Sequence, residues 1–441
     1  MEEKLSWKFP REFWVANVIE LFERAAYYGM FIVLAVYLTR EVGFTDVETG
    51  WVTGLFASLI YMAPTFTGTL SDKMGFRSAL ILAFALLSGG YFLLGLWPTK
   101  LTAVTALTLI MLGGSFVKPI ITGTAAKASD EKHRARAYSI FYMMVNIGAF
   151  LGKTVAKPLR LELGLRYINF YAAGMAFVAL VIVYLLYKDI DTTGKGKSLK
   201  EALNGLVRVL KNVRFMALIL IVAGFWAIQH QLYATMPKYT LRLVGEHASP
   251  EWLANVNPLV VVLFVVPVTH LVRKIPPVSS IGIALLIIPF SALTIALSPV
   301  LTSLTGEYVS IFGAFSLHPI TVALIFGIAL QGLAETFLSP RFLEYASRQA
   351  PKGEEGLYLG YSHLTTFFAN LFAFVSSGYL LDKYCPDPRT LSAAEKATAY
   401  VHAHYIWYFY AGVGFLAFLL LMIYKFVCDT IDRKKMAGNE K

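Results

Sequence analysis

Long apolar segments dominate this sequence and leave it very few possible folds. A membrane-crossing helix needs about 20 mainly apolar residues, and 57% of the 441 residues are hydrophobic whereas 15% are charged. In hydrocarbon every backbone N–H and C=O group must bond within the protein, so only helices and closed barrels can cross. Segments of this length and apolarity therefore predict membrane-spanning helices, not the soluble domains that the chain length would otherwise suggest.

We count twelve such segments, and one long polar stretch separates the sixth from the seventh. The predicted spans are 12–40, 48–70, 78–97, 101–126, 137–157, 167–187, 214–243, 253–272, 277–299, 318–346, 356–382 and 403–427. The polar stretch contains an amphipathic pattern from Ser198 to Lys211, which predicts a helix along the membrane surface. We predict an all-α membrane protein with an N-terminal six-helix half (1–187), a cytoplasmic linker (188–213) and a C-terminal six-helix half with a cytoplasmic tail (214–441).

Basic residues gather on alternate loops, and this asymmetry predicts the orientation of the chain. The loops concerned carry Lys73, Arg77, Lys127, Lys132, Arg134, Arg136, Lys195, Lys197, Lys200, Arg208, Lys211, Arg214, Arg273, Lys274, Arg348, Lys352, Arg433, Lys434 and Lys435. Because cytoplasmic loops are enriched in Lys and Arg, both termini are predicted to be cytoplasmic. The same loops account for the net charge of +11 without a nucleic-acid partner, since no aromatic-basic module is evident. We expect a multi-pass monomer in the lipid bilayer of the plasma membrane.

Three ionisable side chains lie within the first predicted span. Glu20, Glu23 and Arg24 fall within five consecutive positions, and together with Tyr27 they share one helical face. Charges tolerated at membrane depth pair with each other or line a wet pathway, so they mark function. The alternative is a packing network without a transport role, which the cost of burying such groups disfavours.

A charged motif follows the second span. Gly68, Asp72, Gly75 and Arg77 are in register with G-x-L-x-D-x-x-G-x-R, a loop motif of the major facilitator superfamily, which the sequence resembles here. Twelve spans in two halves are also the plan of that superfamily, whose halves rock about a midplane site. The resemblance implies that Asp72 and nearby arginines form a charge latch; the alternative is an ordinary basic loop.

Further motifs resemble the proton-dependent oligopeptide transporter family, also called the peptide transporter family. The stronger ones are E-x-x-E-R at Glu20, Glu23 and Arg24, then Gly113-Gly-Ser-Phe-Val-Lys118-Pro119, similar to G-x-G-x-x-K-P, and Phe141-Tyr142-Met-Met-Val-Asn146-Ile-Gly148, close to F-Y-x-x-I-N-x-G. The weaker ones are Phe225-Trp226, Asn257-Pro258, and Glu335 ahead of Ser339-Pro340. Because they occur in the family's order, the chain is identified as a member by resemblance.

The charges predict a way to couple protons to a substrate. Burial of Lys118 carries a desolvation penalty that a carboxylate of Glu20 or Glu23 can offset. If a proton neutralises that carboxylate, Lys118 and Arg24 become available to hold a substrate anion. Proton and substrate binding then compete for one set of charges, and the resemblance implies the same scheme.

The resemblance also assigns residues to a substrate pocket. Its predicted lining consists of Tyr28, Tyr61, Asn146, Trp226 and Asn257. Tyrosine hydroxyls and ring faces suit a peptide-like ligand, although a single aromatic residue on a membrane helix is often packing or lipid belt. Glu335 in the C-terminal half is expected to receive the amino terminus of a peptide, opposite the cations of the N-terminal half.

Three positions depart from the family pattern. Members with peptide activity carry an arginine in place of Phe31 and an acid in place of His230, and these form an ion pair. Losing both partners together avoids an unpaired buried charge. His230 is then either the proton carrier, since histidine titrates in the physiological range, or a neutral core residue. Lys153 replaces a frequent proline; it either favours an anionic ligand or, like Lys157, extends to the outer interface.

No soluble-enzyme site is predicted. The sequence contains no phosphate-binding Gly-rich loop, no metal-binding spacing of Cys and His, and no supported Ser-His-Asp set. We therefore expect no cofactor and no catalysis, with a proton gradient as the energy source. The predicted function is proton-coupled import of di- and tripeptides. The alternatives are import of another small anion, such as nitrate or a carboxylate, and a non-transporting membrane sensor.

Overall fold

The computed structural model describes residues 9–129, 133–189, 199–311, 315–351, 354–396 and 398–439. Its helices are α1 (Arg11–Tyr37), α2 (Asp46–Met62), α3 (Pro64–Met74), α4 (Phe76–Leu96), α5 (Lys100–Lys127), α6 (Arg134–Pro158), α7 (Leu165–Leu186), α8 (Leu199–Lys211), α9 (Val213–Gln229), α10 (Gln231–Ala234), α11 (Met236–Leu243), α12 (Pro250–Leu253), α13 (Val256–Val272), α14 (Pro277–Ala296), α15 (Ser298–Thr305), α16 (Pro319–Arg348), α17 (Glu355–Tyr361), α18 (Leu364–Tyr384), α19 (Ala393–Lys396) and α20 (Tyr405–Asn439). One antiparallel hairpin of β1 (Val309–Ile311) and β2 (Phe315–Leu317) was not predicted. The all-α class is confirmed.

The predicted spans correspond closely to the observed helices. In the described residues, eleven helical segments are long and apolar enough to cross a membrane. The predicted span 214–243 is instead divided into α9, α10 and α11, and 356–382 into α17 and α18. The second predicted span, 48–70, is likewise divided into α2 and α3. Pro64 has no N–H to bond the carbonyl of Ile60, which interrupts the helix. A backbone bond of 2.9 Å from Thr67 to Ala63 continues the helical path beyond the break.

The chain forms two compact units that do not follow a single cut in the sequence. Unit 1 comprises Met1–Gly43 and Leu59–Ala202, and unit 2 comprises Phe44–Ser58 and Leu203–Lys441. The first part of α2 thus belongs to unit 2. The predicted domain limits stay a prediction, and residues 190–198 of the predicted linker lie outside the described residues.

Glycines explain why the start of α2 packs with unit 2. A Cβ atom built on Gly50 would lie 2.5 Å from the carbonyl oxygen of Phe374, and one on Gly378 would lie 2.7 Å from that of Asp46. Only residues without a Cβ allow α2 and α18 to approach so closely. The Asn370 amide adds a hydrogen bond of 2.9 Å to the backbone of α2.

Unit 1 is built around α1, which packs on α6 and α7. A Cβ atom on Gly148 would lie 2.5 Å from the carbonyl oxygen of Leu21, and one on Gly152 would collide with that of Ala25. This small-x-x-x-small spacing lets two membrane helices approach closely. It brings the charged face of α1 against the Asn146 segment of α6.

In unit 2, α16 packs on α13 and α14, whereas α9 packs on α18 and α20. The predicted linker helix is present as α8, and only Asn212 separates it from α9. The side chain of Asn212 caps α9 by accepting a hydrogen bond of 3.0 Å from the Phe215 N–H.

Candidate functional site

The acids of the first span share one guanidinium group in unit 1. Glu20 and Glu23 are each 1% exposed. The Arg24 Nε atom lies 3.3 Å from Glu20 Oε1 and also donates to Glu23 Oε2. The second oxygen of Glu20, Oε2, is buried and has no hydrogen-bond partner among the described residues. The cluster is therefore compact, but one of its carboxylates is incompletely satisfied.

Lys118 is positioned by an unusual turn of α5. Pro119 inside the helix has no N–H, which leaves the carbonyl of Ser115 without its usual helical donor. The Thr67 hydroxyl donates to this carbonyl at 2.8 Å and so fixes α3 beside α5. The proline of the G-x-G-x-x-K-P pattern thus creates an interhelical bond next to the lysine.

Lys118 is exposed as a residue, in contrast to the two buried acids. Its Nζ atom lies 5.9 Å from the ring centroid of Tyr61. It also interacts electrostatically with Glu20, Glu23 and Arg24. The structure therefore brings the predicted coupling residues of unit 1 together, with Arg24 as the direct partner of both carboxylates.

The ring of Tyr28 lies near two cations, one on its own helix α1 and one on α6. Arg24 Cζ lies 6.0 Å from its centroid and Lys153 Nζ lies 5.8 Å from it. Lys153 is 2% exposed, which places its ammonium group inside unit 1. Asn146, on the same helix as Lys153, donates at 2.7 Å to the backbone of Tyr142.

Glu335 is the acid at the centre of the candidate site in unit 2. Its Oε2 atom accepts hydrogen bonds from Gln229 at 2.9 Å and from Asn257 at 3.4 Å. Gly332 permits this arrangement, because a Cβ there would lie 2.9 Å from the carbonyl oxygen of Asn257. Gln229 was not predicted, although it lies beside the departure at His230 in the sequence.

Trp226 lies on α9, the helix that ends at Gln229, and His230 follows directly after it, one turn from Trp226. Their ring centroids are 5.9 Å apart. His230 occupies the junction of α9 and α10, and its Nδ1 atom is buried without a hydrogen-bond partner among the described residues. Both predicted residues thus belong to the same helical segment as one Glu335 donor.

The loop motif between α3 and α4 has an additional acidic partner. Gly75 has φ 84°, a backbone conformation that favours glycine. The Arg77 N–H donates to Asp189 at 2.7 Å, and the Arg77 guanidinium donates to the Tyr184 carbonyl at 2.7 Å. Gly68 and Asp72 lie on α3 and Arg77 lies on α4, so the predicted loop is reduced to Gly75 between the two helices. The predicted latch between Asp72 and nearby arginines stays a prediction. Asp189 was missed, because only folding brings the end of the sixth span to this loop.

A buried ion cluster in unit 2 was also missed. Asp46 Oδ1 accepts from Lys238 at 2.7 Å and from Arg242 at 2.9 Å, and its Oδ2 accepts from Arg242 at 2.9 Å. Side chains in this cluster are between 2% and 4% exposed. Lys238 and Arg242 are four residues apart inside predicted span 214–243, a signal that could have identified them.

A separate cavity of about 560 Å³ lies in unit 2 between α2, α9, α18 and α20. Its lining is apolar except for Ser376 and contains none of the predicted site residues. The Ser376 hydroxyl is already bonded to the Phe372 carbonyl at 2.6 Å. This cavity therefore offers no charge to an ionic substrate.

Two permeases have sequences similar to part of this chain. Dipeptide and tripeptide permease B of Photorhabdus asymbiotica is 28% identical over 184 residues, which are 41% of this chain and 37% of that protein. The permease B of Yersinia enterocolitica is 26% identical over 239 residues, or 53% and 48% of the two chains. The chain thus spans less than half the length of these permeases. They confirm the predicted resemblance to the proton-dependent oligopeptide transporters.

Solved structures and a family comparison agree on the fold. The crystal structure of a peptide transporter POT in complex with alafosfalin has a TM-score of 0.72 and 21% identity, covering 96% of this chain and 95% of that one. A POT family transporter in complex with 5-aminolevulinic acid has a TM-score of 0.71 and 19% identity, covering 95% and 96%. The sequence model of the Major Facilitator Superfamily matches residues 18–314. This chain belongs to the Major Facilitator Superfamily.

Proposed function

We propose that this protein is a proton-coupled symporter that imports di- and tripeptides by alternating access. The main support is the cluster of unit 1, in which Glu20 and Glu23 share Arg24, and Lys118 lies nearby over the ring of Tyr61. A proton on the unpartnered Oε2 atom of Glu20 would remove the penalty of an unsatisfied buried charge. It would also weaken the attraction of Arg24 to the acids.

Substrate binding follows from the same charges. Arg24 and Lys118 would hold the terminal carboxylate of a peptide through charge-assisted hydrogen bonds. Glu335, oriented by the amides of Gln229 and Asn257, would receive the ammonium group of its amino terminus. A zwitterionic peptide would thus be recognised at both ends. The other predicted contacts are Tyr28, Tyr61, Asn146 and Trp226.

The proposal includes the cellular setting. The protein would act as a monomer in the plasma membrane, with both termini in the cytoplasm because the loops on that side are rich in Lys and Arg. The proton gradient would be its only energy source. It would need no bound cofactor and would catalyse no reaction.

Uptake into proteoliposomes tests the proposal. Under an inward proton gradient we expect accumulation of labelled dialanine, abolished when the gradient is collapsed. The buried Lys153 beside Tyr28 is the observation that favours another small anion as cargo. Uptake of nitrate or a carboxylate without dialanine would therefore overturn the peptide proposal in favour of that alternative. Dialanine binding without any flux would indicate a sensor.

Replacement of Glu335 with glutamine should weaken recognition of the peptide amino terminus. Loss of its charge should raise the half-saturating concentration of dialanine about tenfold, as expected for one charge-assisted contact. The concentration of N-acetyl-dialanine that halves dialanine uptake should change much less, because that peptide has no ammonium group. Glu344→Gln is the matched control, since Glu344 lies on the same helix but pairs with Arg348 at 2.6 Å. Equal losses for both peptides would contradict the assigned role.

Replacement of His230 with alanine tests whether this residue carries a proton. We expect proton-driven accumulation to fall about tenfold under a gradient of about one pH unit, the contribution of one coupled proton. Exchange of labelled for unlabelled dialanine without a gradient should persist. If accumulation is unchanged and only thermal stability falls, His230 is a neutral core residue.

A further inference from the structure

Helix α8 is attached to unit 2 along one side. Val209 is fully buried, and a Cβ on Gly205 would lie 2.8 Å from the Leu357 side chain. Arg208 forms an ion pair with Glu354, and the Asn212 amide donates to the Tyr358 hydroxyl at 2.9 Å. These contacts fix the rotation of α8 about its axis, and so determine which side chains face outward.

The outward side carries an apolar row. Leu203, Val207 and Leu210 are 47%, 49% and 44% exposed. Their spacing of four and three residues puts them on one face of the helix. Water is a poor environment for three adjacent aliphatic side chains, whose burial is favourable in proportion to their apolar area.

A lysine lies at each end of this exposed apolar row. Lys200 is three residues before Leu203, and Lys211 is four residues after Val207, so both continue the same stripe. Both lysines are exposed. Apolar side chains with flanking lysines are the pattern of a helix that lies in a membrane interface.

The chain connection sets the level of α8 relative to the membrane. Residues Val213–Ala234 form a candidate membrane span, and a single residue separates its start from Lys211. The end of α8 must therefore lie where that span enters the bilayer. At this level the chemical surroundings are lipid headgroups with acyl chains immediately beneath them.

We propose that this face of α8 is a binding surface for anionic phospholipid. Leu203, Val207 and Leu210 contact the upper acyl chains, while the amines of Lys200 and Lys211 pair with headgroup phosphates. Lysines near an anionic bilayer surface add appreciably to binding, and their effect decays within a Debye length. The inference depends on the fold and not on the transported substrate, so it is independent of the proposed function.

Site-directed spin labelling of the full chain in vesicles tests this surface. The buried thiols of Cys385 and Cys428 are replaced with alanine, and a nitroxide is attached at Val207→Cys. Oxygen accessibility, which reports lipid exposure, is followed as phosphatidylglycerol replaces phosphatidylcholine. We expect accessibility to rise and saturate with the anionic lipid. The double variant Lys200→Gln/Lys211→Gln should require about tenfold more anionic lipid for half-saturation.

Two controls separate this interaction from general effects. A nitroxide at Glu201→Cys, on the polar side of α8, should remain exposed to water at every lipid composition. The variant Lys425→Gln/Lys434→Gln removes two exposed lysines from α20 and should leave the half-saturating lipid fraction unchanged. The proposal is overturned if the oxygen accessibility of the Val207 label does not change with phosphatidylglycerol. It is also overturned if that accessibility rises at the same lipid fraction in the Lys200→Gln/Lys211→Gln variant as in the parent. Labels at 201 and 207 with equal lipid exposure overturn the orientation on which it depends.

Discussion

Glu23→Gln is expected to abolish proton-driven accumulation of dialanine. Glutamine has nearly the shape of glutamate but no charge, so Arg24 would no longer be shared by two acids and would pair with Glu20 alone. The Glu20 carboxylate would then keep its charge and would not take up the coupling proton. Across a gradient of about two pH units, one coupled proton supports about 100-fold accumulation, because each unit corresponds to 1.36 kcal/mol. The variant should therefore equilibrate the peptide without concentrating it. The measurement is steady-state uptake of labelled dialanine into proteoliposomes.

The fold should tolerate this change, because Arg24 keeps a second acid, Glu20, at 3.3 Å. Exchange of labelled for unlabelled peptide without a gradient should continue, which would show that binding and alternation survive. Glu12→Gln removes an acid from the first turn of the same helix and should leave accumulation intact. Undiminished accumulation by Glu23→Gln would exclude Glu23 from proton coupling.

Asp46→Asn is expected to lower the free energy of unfolding by about 3–5 kcal/mol, as when one partner of a buried ion pair is removed. The carboxylate is the acid between Lys238 and Arg242, with contacts of 2.7 and 2.9 Å. Asparagine would leave Lys238 facing a neutral group, whereas Arg242 would keep its longer contact of 3.9 Å to Asp387. Thermal unfolding of the detergent-solubilised protein should show a correspondingly lower midpoint.

Asp432→Asn is the matched control for Asp46. Asp432 also pairs with a guanidinium, that of Arg214 at 2.9 Å, but their side chains are 46% and 38% exposed. Such a pair contributes about 0–1 kcal/mol to the free energy of unfolding, so the thermal unfolding midpoint of this variant should be close to that of the parent protein. Combining Asp46→Asn with Lys238→Met should recover part of the loss, because one uncompensated cation is then removed. Equal midpoints for the two single variants would contradict the importance of the buried cluster.

The candidate site was predictable from sequence where its geometry is local to one helix. Glu20, Glu23 and Arg24 follow helical spacing, so their proximity needs no knowledge of the other helices. These residues could also be identified as functional candidates, because a charged side chain in an apolar span has a high free energy of burial and is therefore rare. The Lys118 segment was identified by its pattern, but the bond from Thr67 to the Ser115 carbonyl required the neighbouring helix.

The missed residues share a dependence on contacts distant in sequence. Asp46 precedes a predicted span and looks like a loop acid, yet it binds two cations nearly 200 positions later. Gln229 has no distinctive local pattern and became relevant only through its bond to Glu335. Asp189 similarly needed the close approach of the loop that contains Arg77.

By itself, the sequence determined that this protein is a bundle of membrane helices, because hydropathy and backbone hydrogen bonding act within each segment. It also determined that the first span carries two acids and a base on one face. Only the tertiary structure decided that both acids pair with Arg24 and not with Lys118. It also decided that Gln229 and Asn257 donate hydrogen bonds to Glu335, and that α2 begins within unit 2. Those outcomes depend on where glycines let backbones touch and on which buried charges meet, and such contacts exist only after the helices have packed.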